Sequence, residues 1–225
     1  MSQSMQDALL ARIAEDARAL LDGAAPQGFA DWVKRYFRAA AMDTLNEREP
    51  GELARVAVTH FQFACSRRPA QVLIRLTRPT PDQRLARIQV CADDMPFLVD
   101  TLVMAVRDAG SAVDWSVHPV FRLQRRADGQ LDDLRQTDGD VAESWVHLEC
   151  EALHEAGAYA ALQASILERL ADLRLAVTDY PTMRARLRSA IRRMSPPPAS
   201  ADADEARESC AFLEWLDDGH FTFLA

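Results

Sequence analysis

The stretch LARIQVCADDMPFLVDTLVMAVRDAG, residues 85–110, decides the fold of this chain. Its first part, 85–91, is an apolar run of strand length, and residues 96–109 repeat apolar side chains at helical spacing. Two adjacent acids, Asp93 and Asp94, stand between these parts and are followed shortly by a proline. The pattern therefore predicts a strand that leads through a short acidic turn into a helix.

Further segments extend this strand and helix into a sheet domain. Residues 71–76 form another strand-length run, and the proline-containing turn after it can close a hairpin with the first strand. Residues 113–123 and 144–150 alternate apolar with polar side chains, which is typical of half-buried strands. Pro119 interrupts the first of these and cannot donate a ladder hydrogen bond, so we place that strand at a sheet edge. Residues 155–177 return to helical spacing.

The resulting order of strand, helix, strand, strand and helix predicts the fold class. It is α+β, with the ferredoxin-like arrangement of an antiparallel sheet that carries two helices on one face. This arrangement needs a fourth strand, and two segments could supply it. Residues 173–177 fit both a helix and a strand, whereas residues 71–76 can pair beside the first strand. We favour residues 71–76.

Changes in pattern along the chain predict its organisation. Residues 1–69 repeat apolar side chains at helical spacing and form a helical N-terminal segment, and residues 70–180 hold the sheet domain. Residues 181–204 comprise an arginine-rich helix and a proline-rich linker. Residues 205–225 end in HFTFLA, which alternates like a strand but has no partner strand after it. We therefore expect the start of a further, truncated domain there.

Composition and charge exclude several classes of function. The chain has 225 residues, 48% hydrophobic and 27% charged, with a net charge of -8, which is typical of a globular protein. Binding to nucleic acid or to an anionic membrane is not expected, because either would need a clustered basic face. A membrane span and a signal-peptide core are both missing from the sequence, so we expect a cytoplasmic location. The four cysteines lack CxxC spacing and predict neither a disulfide framework nor a metal site.

The acidic turn allows three interpretations. Asp93 and Asp94 can accept hydrogen bonds from the first turn of the helix, where Pro96 lacks an N–H, so a helix start accounts for all three residues. The helix dipole would keep both carboxylates charged, which argues against acid catalysis by this pair. No signature such as GxSxG marks a nucleophile either, and we expect no catalytic residue in the chain. The turn could instead bind the amino and carboxylate ends of an amino acid through Asp93, Asp94, Met95 and Phe97.

A second group of polar residues lies on the predicted strands. Alternation places His118, His147 and Glu149 together, on the face opposite Val117, which we expect the two helices to leave free. A solvated or interface surface fits them better than a metal site. Trp145 shares this face, so we expect a partner to cover it: the N-terminal helical segment, a second copy of the chain or another domain.

Five motifs give the chain a family resemblance. They are, in order, RIQVCADDMPFLVDTLVMAVRDAG (87–110), VDWSVHPVFRLQRRADGQL (113–131), ESWVHLEC (143–150), DYPTMRAR (179–186) and FLEWLDDGHFTFL (212–224). Within a match that runs from Trp32 to Leu224, they resemble the N-terminal region of the large bacterial NAD-dependent glutamate dehydrogenases. The resemblance implies that residues 70–180 form an ACT-like regulatory domain of such an enzyme.

The resemblance also implies a parent reaction, in which L-glutamate, NAD and water give 2-oxoglutarate, ammonia and NADH. The eight glycines of this chain never take the GxGxxG spacing of a dinucleotide site. We therefore expect no cofactor in this chain, with NAD bound by a part of the parent enzyme beyond residue 225. The implied partners are other domains of the same chain, further copies in a homo-oligomer and an amino-acid effector.

Two alternatives to a regulatory role stay open. ACT domains that bind amino acids usually carry a glycine in the turn between first strand and first helix, and residues 94–97 contain none. The chain could therefore be a purely architectural module for oligomerisation or domain packing. It could also be a stand-alone amino-acid-binding protein.

Overall fold

The computed structural model describes residues 3–81, 83–135, 141–195 and 202–220. The helices are α1 (Gln3–Ala19), α2 (Phe29–Phe37), α3 (Met42–Asn46), α4 (Pro50–Ala64), α5 (Leu98–Asp108), α6 (Ala158–Met194) and α7 (Ala203–Trp215), with a π-helical turn at Leu216–His220. The strands are β1 (Leu73–Thr77), β2 (Leu85–Asp93), β3 (Val113–Val117), β4 (Val120–Phe121), β5 (Gln124–Arg125), β6 (Leu131–Asp133) and β7 (Glu143–Glu151). The chain divides into two units, Met1–Leu167 and Glu168–Ala225.

The main sheet has the strand order β1-β2-β7-β3, and β4 also pairs with β7. Its pairings are antiparallel, and α5 and α6 follow β2 and β7 in the chain. The predicted ferredoxin-like α+β fold is confirmed. Its fourth strand is β1, as we favoured, because residues 173–177 lie inside α6.

Pro119 separates β3 from β4 at the edge of this sheet. Its carbonyl oxygen still accepts a hydrogen bond from the backbone N–H of Trp145 at 3.0 Å. A residue that can accept but not donate is tolerated at an edge, because no further strand needs its missing N–H. The predicted edge position is confirmed.

One face of the sheet, here called the aromatic face, packs against the N-terminal helices. Residues that pair directly in adjacent strands point to the same side, and the register pairs Cys91 with Trp145 and Val117 with His147. Apolar side chains of this face share a buried cluster with α1, α2 and α4. At its centre the rings of Trp32 and Trp145 lie edge to face, 5.2 Å apart.

The other face, here called the aliphatic face, carries small and branched side chains. Its buried members include Ile88, Val90, Val146 and Leu148. Helix α5 and the first turns of α6 contribute the buried residues that pack with them, and these are Leu98, Leu102, Ala105, Val106, Leu162 and Ile166. This layer is the pair of helices that the strand and helix order predicted.

The second unit contains most of α6, together with α7 and the π-helical turn. Helix α6 continues through Pro181, where a break between two helices was expected. Arg184 and Arg188 both donate to the Asp217 carboxylate, each at 2.8 Å through its Nε. The predicted strand HFTFLA lies outside the described residues except for its first residue, His220, which ends the π-helical turn. Among the described helices, none is long and apolar enough to cross a membrane.

Candidate effector site at the acidic end of the sheet

The acidic turn does not form a helix cap. Strand β2 continues to Asp93, which pairs with Glu143, and Asp94 donates its backbone N–H to the carbonyl of Ala142 at 2.8 Å. Helix α5 begins only at Leu98, after Phe97, with no side-chain cap. The prediction that Asp93 and Asp94 cap the helix was therefore wrong. Sheet pairing extends past the predicted strand end and holds both acids away from the helix terminus.

Asp94 belongs to a row of three hydrogen-bonded side chains at the end of the sheet, with Ser144 and His118. Its carboxylate accepts a hydrogen bond from the Ser144 hydroxyl, which also contacts Nε2 of His118 at 2.9 Å. Burial lowers the pKa of His118, although the nearby charge of Asp94 opposes the shift. Ser144 donates directly to a carboxylate and is fully buried, so these three side chains order the end of the sheet where β2 leaves it.

Asp93 joins a buried group of charges that the sequence did not reveal. It pairs with Arg67, whose Nη1 also donates to Glu143 at 2.9 Å. Glu143 accepts from Arg125 through both carboxylate oxygens, at 2.6 and 2.9 Å, and from the indole N–H of Trp145 at 3.2 Å. We call Arg67, Asp93, Arg125 and Glu143 the charged cluster. Burial alone would raise the pKa of Glu143. Hydrogen bonding to Arg125 and the charges of both arginines lower it by more than burial raises it, so the net shift is downward.

The hairpin of β5 and β6 positions this cluster. Gly129 in its Asp-Gly turn has φ of 89, and its carbonyl accepts from the Arg67 backbone N–H and from Arg125 Nη1, each at 2.9 Å. A Cβ at Gly129 would lie 2.6 Å from the Arg67 carbonyl oxygen, so a larger residue does not fit. An Asp-Gly pair is typical of a tight turn, but nothing in the sequence indicates that this one contacts Arg67.

A cavity of about 850 Å³ opens beside the charged cluster. Its lining combines charged groups with apolar walls and consists of Arg67, Pro69, Ala70, Asp93, Leu123, Gln124, Arg125, Arg126, Ala127, Val141 and Glu143. Guanidinium groups and carboxylates on one apolar floor suit a small ligand that carries charges of both signs. Of the predicted effector residues, Asp93 lines this cavity, whereas Asp94, Met95 and Phe97 are not part of its wall.

The predicted interface residues separate onto different faces. Trp145 and His147 are fully buried on the aromatic face, where the N-terminal helical segment covers them. That segment is one of the three partners considered. His118 instead contacts Ser144, which points to the aliphatic side, so the prediction that His118, His147 and Glu149 share one face was wrong. Alternation along each strand could not fix the register between strands. The observed register pairs Val117 with His147, so these two side chains lie on the same face.

Two histidines lie in the layer between α4 and the sheet. His60 and His147 are both fully buried, and the phenol of Tyr36 contacts His60 Nδ1 at 2.7 Å. Neither His60 Nε2 nor His147 Nδ1 has a hydrogen-bond partner among the described residues. Burial lowers the pKa of both imidazoles, most strongly that of His60. The part of the chain that the structure describes contains no group of His, Cys, Asp or Glu that could hold a metal ion.

The described residues of β2 and of the turn before α5 do not fit an NAD site. A dinucleotide fold needs a parallel strand that enters a helix through a glycine-rich turn whose free N–H groups face a pyrophosphate. Here β2 is antiparallel to both of its neighbours, and the turn before α5 contains Phe97 and no glycine.

The split βαβ order with two helices on one face defines an ACT-like domain. Comparison with known proteins agrees: residues 32–166, more than half of the chain, match the family described as glutamate dehydrogenase, ACT1 domain, and the chain belongs to that family. It is 29% identical over 226 residues to the NAD-specific glutamate dehydrogenase of Pseudomonas aeruginosa, covering 92% of this chain and 13% of that relative. The NAD-specific glutamate dehydrogenase of Halomonas elongata is 27% identical, with 96% of this chain and 14% of the relative covered.

Proposed function

We propose that this chain is a non-catalytic regulatory and assembly region of an NAD-dependent glutamate dehydrogenase. The enzyme would convert L-glutamate, NAD and water to 2-oxoglutarate, ammonia and NADH, with NAD bound by other domains of the same polypeptide. Family membership supports this, and so does coverage, because the chain spans only 13% and 14% of the length of the two relatives. The parent enzyme is proposed to be a homo-oligomer.

The regulatory role rests on the cavity beside the charged cluster. An amino acid carries an ammonium and a carboxylate, and the lining offers Asp93 for the first and Arg126 for the second. Glu143 is already held by both cluster arginines and Trp145, so it would keep the guanidiniums in place. A bound effector would act by favouring one conformation of the parent enzyme over another.

The first test is the thermal midpoint of the chain with each common amino acid at millimolar concentration. A ligand at about 100 times its Kd adds about 2.7 kcal/mol of stability, which raises Tm by several degrees. We expect a rise with one or two amino acids that Asp93→Asn abolishes. Asp94→Asn is the matched control, because Asp94 is adjacent but is not part of the cavity wall. Absence of a shift with every amino acid would reject the effector site and leave the assembly role.

A purely architectural module is a second candidate, and the sheet edge favours it. Val120 in the edge strand β4 has 45% of its surface exposed. An exposed edge can add a strand from a second chain. If the edge assembles copies, Val120→Lys will lower the molecular mass measured by sedimentation equilibrium, while the exposed control Val141→Lys will not. A single mass for the native chain and for both variants would reject this candidate.

A further inference from the structure

A second cavity lies at the other end of the sheet, where β2 begins. Its volume is about 420 Å³, and its wall joins α4 to the start of β2 and to the end of β7. In the described part of the chain its charged lining residues are Arg48, Glu52, Arg55, Arg84, Arg87 and Glu149. Guanidinium groups thus outnumber carboxylates here, although the whole chain carries a net charge of -8.

Glu149 organises one side of this cavity. Arg48 Nη1 donates to its carboxylate at 2.7 Å, and Arg87 Nε lies 3.7 Å away from it. Burial alone would raise the pKa of Glu149. Its contacts with His147 and Arg48 lower the pKa by more than burial raises it, so the net shift is downward and the group stays charged. The buried carboxylate therefore holds the Arg48 guanidinium by a hydrogen bond and attracts that of Arg87 through its charge alone.

Arg48 is also fixed from its other side. Its guanidinium lies over the ring of Trp115 at 4.1 Å, and Nη2 is 3.7 Å from Asp114. Stacking on an aromatic face leaves the planar edge of the guanidinium free to form hydrogen bonds. The cavity therefore has an ordered cationic wall before any ligand arrives.

The opposite rim carries cations without such partners. Arg55 and Arg84 are exposed, and neither forms a hydrogen bond or an ion pair with the residues that the structure describes. They stand on different elements, Arg55 on α4 and Arg84 just before β2, and both reach the same cavity. An anion placed between them would neutralise charge that the fold leaves unbalanced at this point.

We propose that this cavity binds a small oxyanion with at least two negative charges, held by Arg55 and Arg84 against the ordered wall of Arg48 and Arg87. Dicarboxylates and phosphates share this chemistry, because each presents paired oxygens that fit a planar guanidinium. The volume is adequate for a small metabolite. This site is separate from the charged cluster, so it stands or fails independently of the proposed effector cavity.

Isothermal titration calorimetry tests the proposal, with sodium pyrophosphate and disodium succinate as probes at one fixed ionic strength. We expect saturable binding of at least one probe, and the tighter one will show whether phosphate or carboxylate is preferred. The double variant Arg55→Gln/Arg84→Gln should weaken that binding by about tenfold or more. The exposed pair Arg12→Gln/Arg38→Gln removes the same charge elsewhere and should change it by less than about twofold.

Two results would overturn the proposal. One is the absence of saturable heat with both probes while circular dichroism shows the chain folded. The other is an equal loss of affinity in both double variants, because general attraction of anions by net charge would then explain the binding. Both variant pairs alter exposed side chains, so their folds should match the native fold by circular dichroism.

Discussion

The two faces of the sheet are built on the same strands but buried by different means. On the aliphatic face, β2 and β7 contribute Val90 and Leu148, which need only apolar neighbours from the helices. On the aromatic face the same two strands bury Gln89, Glu143 and His147 alongside apolar groups. The stability of the aliphatic core therefore depends on how well apolar side chains fill the space. The stability of the aromatic core depends in addition on hydrogen-bond and ion-pair partners for its buried polar side chains.

Specific contacts replace hydrophobic burial on the aromatic face. A polar group can be buried only if hydrogen bonds or opposite charges offset the loss of water. Glu143 has two arginines and an indole N–H, whereas His147 has little beyond Glu149, whose Oε1 lies 3.5 Å from its Nε2. Loss of a partner on the aromatic face should therefore leave a buried charge or dipole without a compensating contact. The free energy of unfolding should also depend on pH, because some of these groups titrate.

The largest expected effect comes from the charged cluster. Glu143→Gln keeps the shape of the side chain but leaves the buried guanidiniums of Arg67 and Arg125 without their carboxylate. Removal of one partner of a buried ion pair destabilises by about 3 to 5 kcal/mol. Urea unfolding measures the change, and Glu151→Gln is the control, since Glu151 ends the same strand but is exposed.

A loss below about 1 kcal/mol for Glu143→Gln would contradict the burial of this cluster, because that is the range of exposed ion pairs. The control should change stability by less than about 0.5 kcal/mol, as surface substitutions usually do. A similar large loss in both variants would show that the strand, and not the cluster, responds to the substitution.

The aliphatic face is the part that sequence patterns predict well. Apolar periodicity predicted β2 and α5, and the missing N–H of Pro119 predicted its edge position, because each of these signals lies in residues close together in the chain. The aromatic face depends on register between distant segments: Arg67 and Glu143 are 76 residues apart. A polar side chain on a strand looks solvated unless its partner is known, so the cluster and its cavity could not be predicted.

The next effect is a dependence of stability on pH that the two buried histidines of the aromatic face, His60 and His147, should produce. Burial holds the pKa of His60 and His147 below the ordinary value of about 6.5. Below that pH the two imidazoles bind protons in the unfolded chain but stay neutral in the folded chain until the pH reaches their lowered pKa. The stabilisation is therefore complete above about pH 6.5 and is lost as the pH falls toward the folded pKa, by up to about 1.4 kcal/mol per pH unit for each histidine.

The charges around both rings are consistent with this direction. Arg75 and His147 disfavour a proton on His60, and Arg48 and Arg87 disfavour one on His147 while Glu149 opposes them. Urea unfolding between pH 7 and pH 5 should show a shallower slope for His147→Leu than for the native chain. His154→Leu, at an exposed position, is the control and should keep the native slope. An unchanged slope in His147→Leu would mean that folding does not lower the pKa of His147.

The smallest effect concerns the turn through which β2 leaves the sheet for the aliphatic layer. Phe97 occupies the left-handed region there, with φ of 64, where a side chain with a Cβ costs about 1 to 2 kcal/mol. Phe97→Ala keeps the Cβ and this strain, whereas Phe97→Gly removes it and costs about 0.5 to 1 kcal/mol through the freer unfolded chain. The two variants lose the same ring, which is half exposed, so their difference isolates the backbone. Glycine should therefore be the more stable of the two by about 0.5 to 1 kcal/mol in urea unfolding. Equal stability would mean that the turn relaxes out of the left-handed region, and that the glycine usual in ligand-binding ACT turns has no conformational role at this position.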